Sequence, residues 1–544
     1  MFKNTWFCLA ICFVFLTAIF VGCSDDDDAD DKKIAEVLVQ GSAINGANGV
    51  IFDSQDQLHI ASVIGRSITV MDRETGEIID VLGTDTGVDC PDDLIFAPDG
   101  TLYWTSFLTG EVGRLDTDGT VKKQFVGPGV NPITISDDGR LFAALDFLGD
   151  GLYELDPNLE EAPRLIIQQL GFLNAFDFGP DGLLYGPIWT QKHVVRIDVD
   201  AEQPTVEVVA DGFELCSAVK FNSQGELHVA DQKAGSVYRV DVNTGEKTLV
   251  GSGLHKTDNL AFDSSDRLFV SSADDGYIGE VLSDGTGKTV YAGGMVFFGG
   301  ITYQSNSLFV ADLFNLREVD PQTGEELSVA TSYLGVPGIT TSMTVASDGE
   351  NMIVTSWFAR AVQVWNHSDT QVVEQYFDFG IPLNAIRFQE DLIVVDLITT
   401  SLIRADGQNP EVRTTIADLT LPVGMAADEH NLWVSDWGTG EIFQVIQADS
   451  VLTDPLVLAS NLLNPEGMTL GSDGELFVVE VGADRVVSID LESGAITPVV
   501  EELDLGSEAV PGMPSSWIFN DITLSPDGTL YVTGDRGKVL YKIK

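Results

Sequence analysis

A phrase of about 43 residues recurs along this chain, and a period in that range restricts the fold to arrays whose units bury their faces on one another. Each copy is a short apolar strand, an Asp-Gly-type turn, a second strand of the form Leu-aromatic-Val-Ala, a loop, a third strand, and a turn into a fourth. The clearest copies are IFAPDGTLYWTS from Ile95, FDFGPDGLLYGP from Phe176, KFNSQGELHVAD from Lys220 and TLSPDGTLYVTG from Thr523. Anchoring each copy on the last apolar residue of its first strand gives Phe52, Phe96, Ile135, Phe178, Phe221, Phe262, Tyr303, Val345, Phe388, Ala427, Leu470 and Leu524. The last step is longer than the others and contains the Gly-, Pro- and Ser-rich stretch from Gly506 to Ser516.

Period-two alternation, aromatic and β-branched enrichment and closely spaced turns read as strands and hairpins throughout. The Asp residues of Asp99-Gly100, Asp138-Gly139, Asp181-Gly182, Asp473-Gly474 and Asp527-Gly528 read as turn formers, with Gly supplying positive φ. Four strands in roughly 40 residues is β-propeller arithmetic, so the chain is predicted to be all-β, with about twelve four-stranded blades.

The ends divide the blades. The last repeat stops at Lys544 after its third strand, and an orphan strand, Ile34 to Gln40, precedes the first repeat. Two tandem six-bladed rings are expected, with Ile34 to Gln40 closing ring one and Lys288 to Ala292 closing ring two beside Lys544. A single twelve-bladed ring would also close, around a wide and poorly filled channel. The expected division is 1–22 leader, 23–32 acidic tether, 33–286 first propeller and 287–544 second propeller.

The leader has Lys3, an apolar run from Trp6 to Val21, then Gly22-Cys23-Ser24 and the acidic tract Asp25 to Asp31. The run suits a signal h-region better than a membrane span. Val21-Gly22-Cys23 resembles the bacterial lipobox, which implies lipidation of Cys23 and a membrane-anchored, extracytoplasmic protein, periplasmic or at the cell surface. In the body, Cys90 and Cys216 fall on opposite sides of one ring, too far apart for a disulfide, and read as buried fillers. The 84 acidic against 29 basic residues, a formal net charge of −55, make nucleic acid and anionic lipid surfaces poor partners for the body.

The repeat phase singles out the position four residues before each anchor, at the start of the innermost strand and facing the channel mouth. In ring one it holds Asn48, Asp92, Asn131, Asn174, Ser217 and Asp258; in ring two, Gly299, Thr341, Asn384, Val423, Glu466 and Asn520. Converging carboxylates and amides are ligands for a hard cation such as Ca²⁺ or another divalent metal. Asn48, Asp92, Asn131, Asn174 and Asp258 are therefore the metal candidates of ring one, and Glu466, Asn520 and Asn384 those of ring two. The same residues would also serve by hydrogen-bonding strand ends and water. Loops between second and third strands open on the same face and carry Phe107, Phe147, Trp189, Phe314, Trp357 and Trp437, suited to stacking on sugars or flat ligands. Asp312, Asp396, Asp436 and Glu480 close second strands, where hairpin capping accounts for them. His59 and His228 occupy the slot filled elsewhere by Tyr103 and Tyr531 and read as packing residues.

The phrase and its polar ring resemble the SMP-30/gluconolactonase superfamily of six-bladed propellers and, more distantly, NHL-repeat and strictosidine-synthase-like propellers. The resemblance implies a divalent metal held by a Glu, two Asn and an Asp at inner-strand starts. Asn131 and Asn174 match the two Asn positions, whereas Asn48 stands at the Glu position and Ser217 at the Asp position. Asn464-Pro-Glu-Gly-Met468 resembles the family's Glu motif. Two functions follow. One is a surface-anchored scaffold that binds a small-molecule, carbohydrate or protein ligand at its channel mouths. The other is a metal-dependent hydrolase of lactones or related esters, with Asp258 or Asp92 as catalytic base.

Overall fold

The computed structural model describes residues 33–333, 335–508 and 519–544. The leader, Cys23 and the acidic tether lie outside these residues, as does most of the Gly506 to Ser516 stretch. The described residues fold into twelve four-stranded antiparallel sheets, and none forms a helix long and apolar enough to cross a membrane.

Two rings of six blades account for all twelve. In ring one the innermost strands Val50–Phe52, Pro91–Phe96, Val130–Ile135, Asp177–Phe178, Cys216–Phe221 and Leu260–Phe262 neighbour one another in turn, and the sixth returns to the first. The anchors show what joins them. The second-strand aromatic of one blade meets the anchor of the next edge-on: His59 with Phe96, Phe142 with Phe178, Tyr185 with Phe221 and His228 with Phe262. Phe269 of blade six closes the circle on Phe52 of blade one at 5.0 Å. Such pairs add to the burial that already favours stacking. Ring two closes in the same way, Ile301–Gln304 lying beside Ile522–Leu524. There the Ile301 N–H donates to Asp521 (3.2 Å) and the Tyr531 hydroxyl to the Pro321 carbonyl (3.0 Å).

The outer strands of the two sixth blades depart from the sequence expectation. Ala35–Gln40 pairs with Val539–Ile543, so it completes ring two and not ring one. Gly287–Tyr291 pairs with Ile278–Val281 and completes ring one. The expected boundary between residues 286 and 287 therefore cuts through a blade of ring one, and residues 35–40 belong with the second propeller. The reason is local. Gly287–Tyr291 follows its partner through a tight turn in which Asp284 accepts the Thr286 N–H (3.0 Å), and a short hairpin closes at a lower entropy cost than a distant pairing. The N-terminal strand then takes the edge that remains.

Two links consequently run between the rings, side by side. The Ser42 N–H donates to the Met295 carbonyl (2.9 Å) and the Asn45 amide to the Val296 carbonyl (3.1 Å). Gly41 has no room for a side chain, since a Cβ there would lie 2.7 Å from the Met295 oxygen.

The rings meet through their upper faces, where innermost strands begin and second strands end. Val296, Phe297, Leu313 and Met343 of ring two form a buried cluster packed against Ile64 and Leu108 of ring one. The Lys256 ammonium bonds the Asp274 carboxylate (2.9 Å) within ring one and the Asn315 side-chain oxygen (2.6 Å) across the boundary. The Asn315 amide donates in return to the Asp274 carbonyl (3.1 Å). Ring two thus roofs part of the channel mouth of ring one.

Candidate functional site

Strand ends at the upper face must satisfy backbone groups that the sheet leaves open. A recurrent device does this. The acidic residue closing a second strand accepts N–H groups from the loop that leads into its own blade and, at Asp396 and Asp436, from the turn that follows it. Asp436 accepts from Thr420, Leu421, Gly438 and Thr439 at 2.7–3.1 Å. Asp396 accepts from Gly380, Ile398 and Thr399, Asp231 from Glu214 and Leu215, and Asp535 from Gly506 and Ser507. Asp312 and Glu480 each combine loop N–H groups with an arginine, Arg317 and Arg485. Hairpin and loop capping is therefore the role of Asp312, Asp396, Asp436 and Glu480.

Asp146 occupies that same position in the third blade of ring one, just after Leu141–Leu145, and has no such partners. It is 0 % exposed, and neither carboxylate oxygen accepts a well-formed hydrogen bond, the Asn131 amide being a looser polar neighbour. The loop leading into this blade spends its N–H groups on carbonyls instead, Gly127 on Gly110 and Gly129 on Phe107 (3.1 and 3.2 Å). An uncompensated buried carboxyl is held neutral by its surroundings or ionised by a cation. Burial drives the Asp146 carboxyl well above the usual range; Asp92 raises it further, the Asn131 amide draws it back, and Asp258 adds to the rise.

The two channel-mouth carboxylates of ring one belong to the same electrostatic group. Asp92 is raised well above its ordinary value by burial, then by Asp258 and Asp93. Asp258 is raised to about 7 by burial, then by Asp274 and Asp93. Asp93, one residue deeper, reaches about 6 through burial while accepting the Leu94 and Ile133 N–H groups (2.9 and 3.1 Å).

The remaining candidates in ring one are divided. Asn131 lies within reach of Asp146. The Asn48 oxygen accepts the Val63 N–H (3.3 Å), the Asn174 oxygen accepts the Ala175 N–H (2.8 Å), and the Ser217 hydroxyl donates to the Thr257 carbonyl (2.8 Å). The oxygen-only donor set of Asp92, Asp146, Asp258 and Asn131 fits a hard cation in kind, and the orphaned Asp146 is the side chain that needs one. Among the described residues no three acidic, His or Cys groups close a metal site by themselves, so amide oxygen and water would complete the coordination.

Ring two brings Glu466 and Asn520 together, but within its wall. Glu466 accepts both the backbone and side-chain N–H of Asn520 (2.7 and 3.0 Å), and Asn520 caps the Asp535 N–H (3.1 Å). Asn384 accepts the Ala385 N–H and lines a cavity of about 270 Å³ in the ring-two channel, apart from that pair. The mouth of ring two is otherwise apolar, with Leu383, Val423 and Phe519 in one cluster.

The loop aromatics are not a set of exposed stacking surfaces. Phe107 and Trp189 are buried, and Phe147 packs on Phe107, Phe172 and Trp189 at 5.3–6.2 Å. Phe314 and Trp357 pack at the boundary between rings, and Trp437 packs on the ring-two mouth cluster. Most of these rings pack on neighbouring loops of their own propeller, contacts that a blade-by-blade reading does not show. Cys90 and Cys216 are free and buried, their thiols raised by burial, Cys216 to about 12. His59 and His228 are packing residues, as their edge-on contacts require.

Sequence reasoning missed Asp146. Its signal is present in Leu145-Asp146, the same strand-end acid as in Val395-Asp396 and Ser435-Asp436, but only the fold reveals that this one lacks a loop to cap.

No family model matches the chain, and no curated protein matches it. Solved structures do. A virginiamycin B lyase from Staphylococcus aureus is 13% identical, the match covering 51% of this chain and 95% of that one, with a TM-score of 0.38. A streptogramin B lyase is 15% identical over 52% and 95% of the two chains, TM-score 0.38. A gluconolactonase from Xanthomonas campestris is 15% identical over 44% and 87%, TM-score 0.36.

Proposed function

We propose that this protein is a membrane-anchored, extracytoplasmic propeller lipoprotein. In this reading the ring-one mouth binds a hard divalent cation such as Ca²⁺ and presents it to a ligand in the cleft beneath ring two. The observation that carries the reading is Asp146, a fully buried carboxyl that accepts no backbone N–H, electrostatically joined to Asp92 and Asp258. Asp146, with Asp92 or Asp258 and the Asn131 amide oxygen, would hold the ion, and the bound ion would supply positive charge for a carboxylate, carbonyl or hydroxyl of the ligand. Around it, the strand ends held by Asn48 and Asn174 keep the mouth in shape, and Lys256 with Asp274 keeps ring two over it. Equilibrium dialysis of the full chain against Ca²⁺ tests this: wild type takes up an ion that Asp146→Asn does not. Equal uptake by both, or by neither, removes the proposal. The anchor rests on Val21-Gly22-Cys23. Metabolic labelling with a radiolabelled fatty acid is expected in wild type and absent in Cys23→Ala; labelling of both contradicts it.

A second reading is a metal-dependent hydrolase of lactones or related esters. It is favoured by Asp258, whose carboxyl, raised to about 7, is suited to proton transfer at neutral pH. Lactone hydrolysis that is abolished by EDTA, restored by Ca²⁺ and lost in Asp258→Asn would select it. Ca²⁺ uptake without turnover selects the binding protein.

A further inference from the structure

Arginine is scarce in this acidic protein and is almost always paired. Among the described residues, every arginine has a carboxylate within 4.0 Å except Arg360 and Arg413. These two converge on one segment of ring two, residues 377–380, where blade two passes into blade three. The Arg360 Nε donates to the Phe379 carbonyl (2.7 Å). The Arg413 Nη2 donates to the Phe377 carbonyl, and its guanidinium lies 4.1 Å from the Phe379 ring centre. Both side chains are therefore fixed by carbonyl and aromatic contacts, and the terminal nitrogens of Arg360 make no hydrogen bond within the described residues.

Exposed apolar side chains gather around them. Phe358, Phe377 and Ile398 are 46%, 48% and 66% exposed. Ile398 packs against Gly380, whose added Cβ would lie 2.5 Å from it. Beside them is a groove of about 220 Å³ lined by Phe379, Arg413, Thr399, Thr414 and Asp378. The Asp396 carboxylate, also in the groove, is taken up by N–H groups of Gly380, Ile398 and Thr399. Two guanidinium groups pre-positioned on one segment, Arg413 lining the groove, with exposed aromatic and aliphatic side chains nearby, have the composition of a binding hot spot.

We infer that this rim of ring two is a docking site for an acidic peptide segment, a Glu or Asp carboxylate on Arg360 and Arg413 with a neighbouring apolar side chain against Phe358, Phe377 and Ile398. Charge complementarity selects the occupant. Guanidinium groups without an internal carboxylate call for an external one, while the net charge of −55 repels extended polyanions such as nucleic acid or an anionic bilayer. A short segment with an isolated carboxylate meets both conditions. Asp378 supplies an acceptor for a peptide N–H beside it. The site is independent of any ion at ring one.

The test uses the full chain and two pools of acetylated, amidated hexapeptides, one with a central apolar-Glu pair and one with apolar-Gln. Binding is read by isothermal titration at low and high salt. The Glu pool is expected to bind at least about tenfold more tightly than the Gln pool, to weaken with salt, and to lose that preference in Arg360→Gln/Arg413→Gln. Arg413→Lys keeps the charge without the fork and is expected to fall between; thermal melts of all variants control for folding. Equal binding of the two pools, no binding of the Glu pool, or an unchanged preference in a folded double variant would overturn the inference.

Discussion

Asp146 and Asp436 occupy equivalent positions in two blades and differ only in what surrounds their carboxylates. Asp436 is fully buried and accepts four backbone N–H groups, so Asp436→Ala strands those donors and is expected to cost about 2–4 kcal/mol, read as a lower thermal midpoint. Asp146 has no backbone donors to lose. Asp146→Asn removes an unfavourable buried acid and is expected to raise the metal-free midpoint, a gain that disappears when Ca²⁺ is added to both proteins. Calorimetry of the two variants with and without Ca²⁺ reads both effects. Asp521 gives a pH dependence. It accepts the Ile301 and Ile522 N–H groups, and burial raises its carboxyl to about 7. The folded value lies above the unfolded one, so the stability tied to its proton is present in full below about pH 4 and is lost as pH rises through about 7. Asp521→Asn is expected to flatten the decline in melting temperature between those limits, and an unchanged slope would show that other groups set it.

At the scale of strands, much was legible because the instructions are local. The Asp-Gly turns adopt the expected geometry, with Gly100, Gly139, Gly182, Gly474 and Gly528 all at positive φ. The anchors Phe52, Phe96, Phe178, Phe221 and Phe262 became the interblade contacts because each needs only its own blade's phase to be aimed correctly. The choice of edge for Ala35–Gln40 was not legible: two sixth blades each needed an outer strand, and strand pattern does not distinguish two antiparallel edges. Hairpin proximity decided it, as the short Leu282 to Thr286 turn shows. A consequence can be measured. Deleting residues 35–40 should expose the Val539–Ile543 edge and raise hydrogen exchange across Leu530–Ile543, while Leu268–Val281 keeps its protection. Loss of protection in the ring-one segment instead would contradict the observed pairing.

At the scale of the whole molecule, the two rings have different mouths. Ring one gathers Asp92, Asp146 and Asp258, and ring two gathers Leu383, Val423 and Phe519. The phase of the repeat made the ring-one oxygens legible as a set. It could not show that Asn48 and Asn174 are occupied by strand ends, that Asp146 joins the set, or that ring two covers it, since each depends on loops and on a second domain. Burial at this mouth, complete at Asp146, makes charge costly unless matched, and there a cation gains most. Crystals of the protein grown or soaked with Mn²⁺, an anomalous scatterer with the same preference for oxygen ligands, test this most directly. The account predicts an anomalous peak at the ring-one mouth, within coordination distance of Asp146 and of Asp92 or Asp258. No peak there, or one confined to the exposed acidic surface, would contradict it.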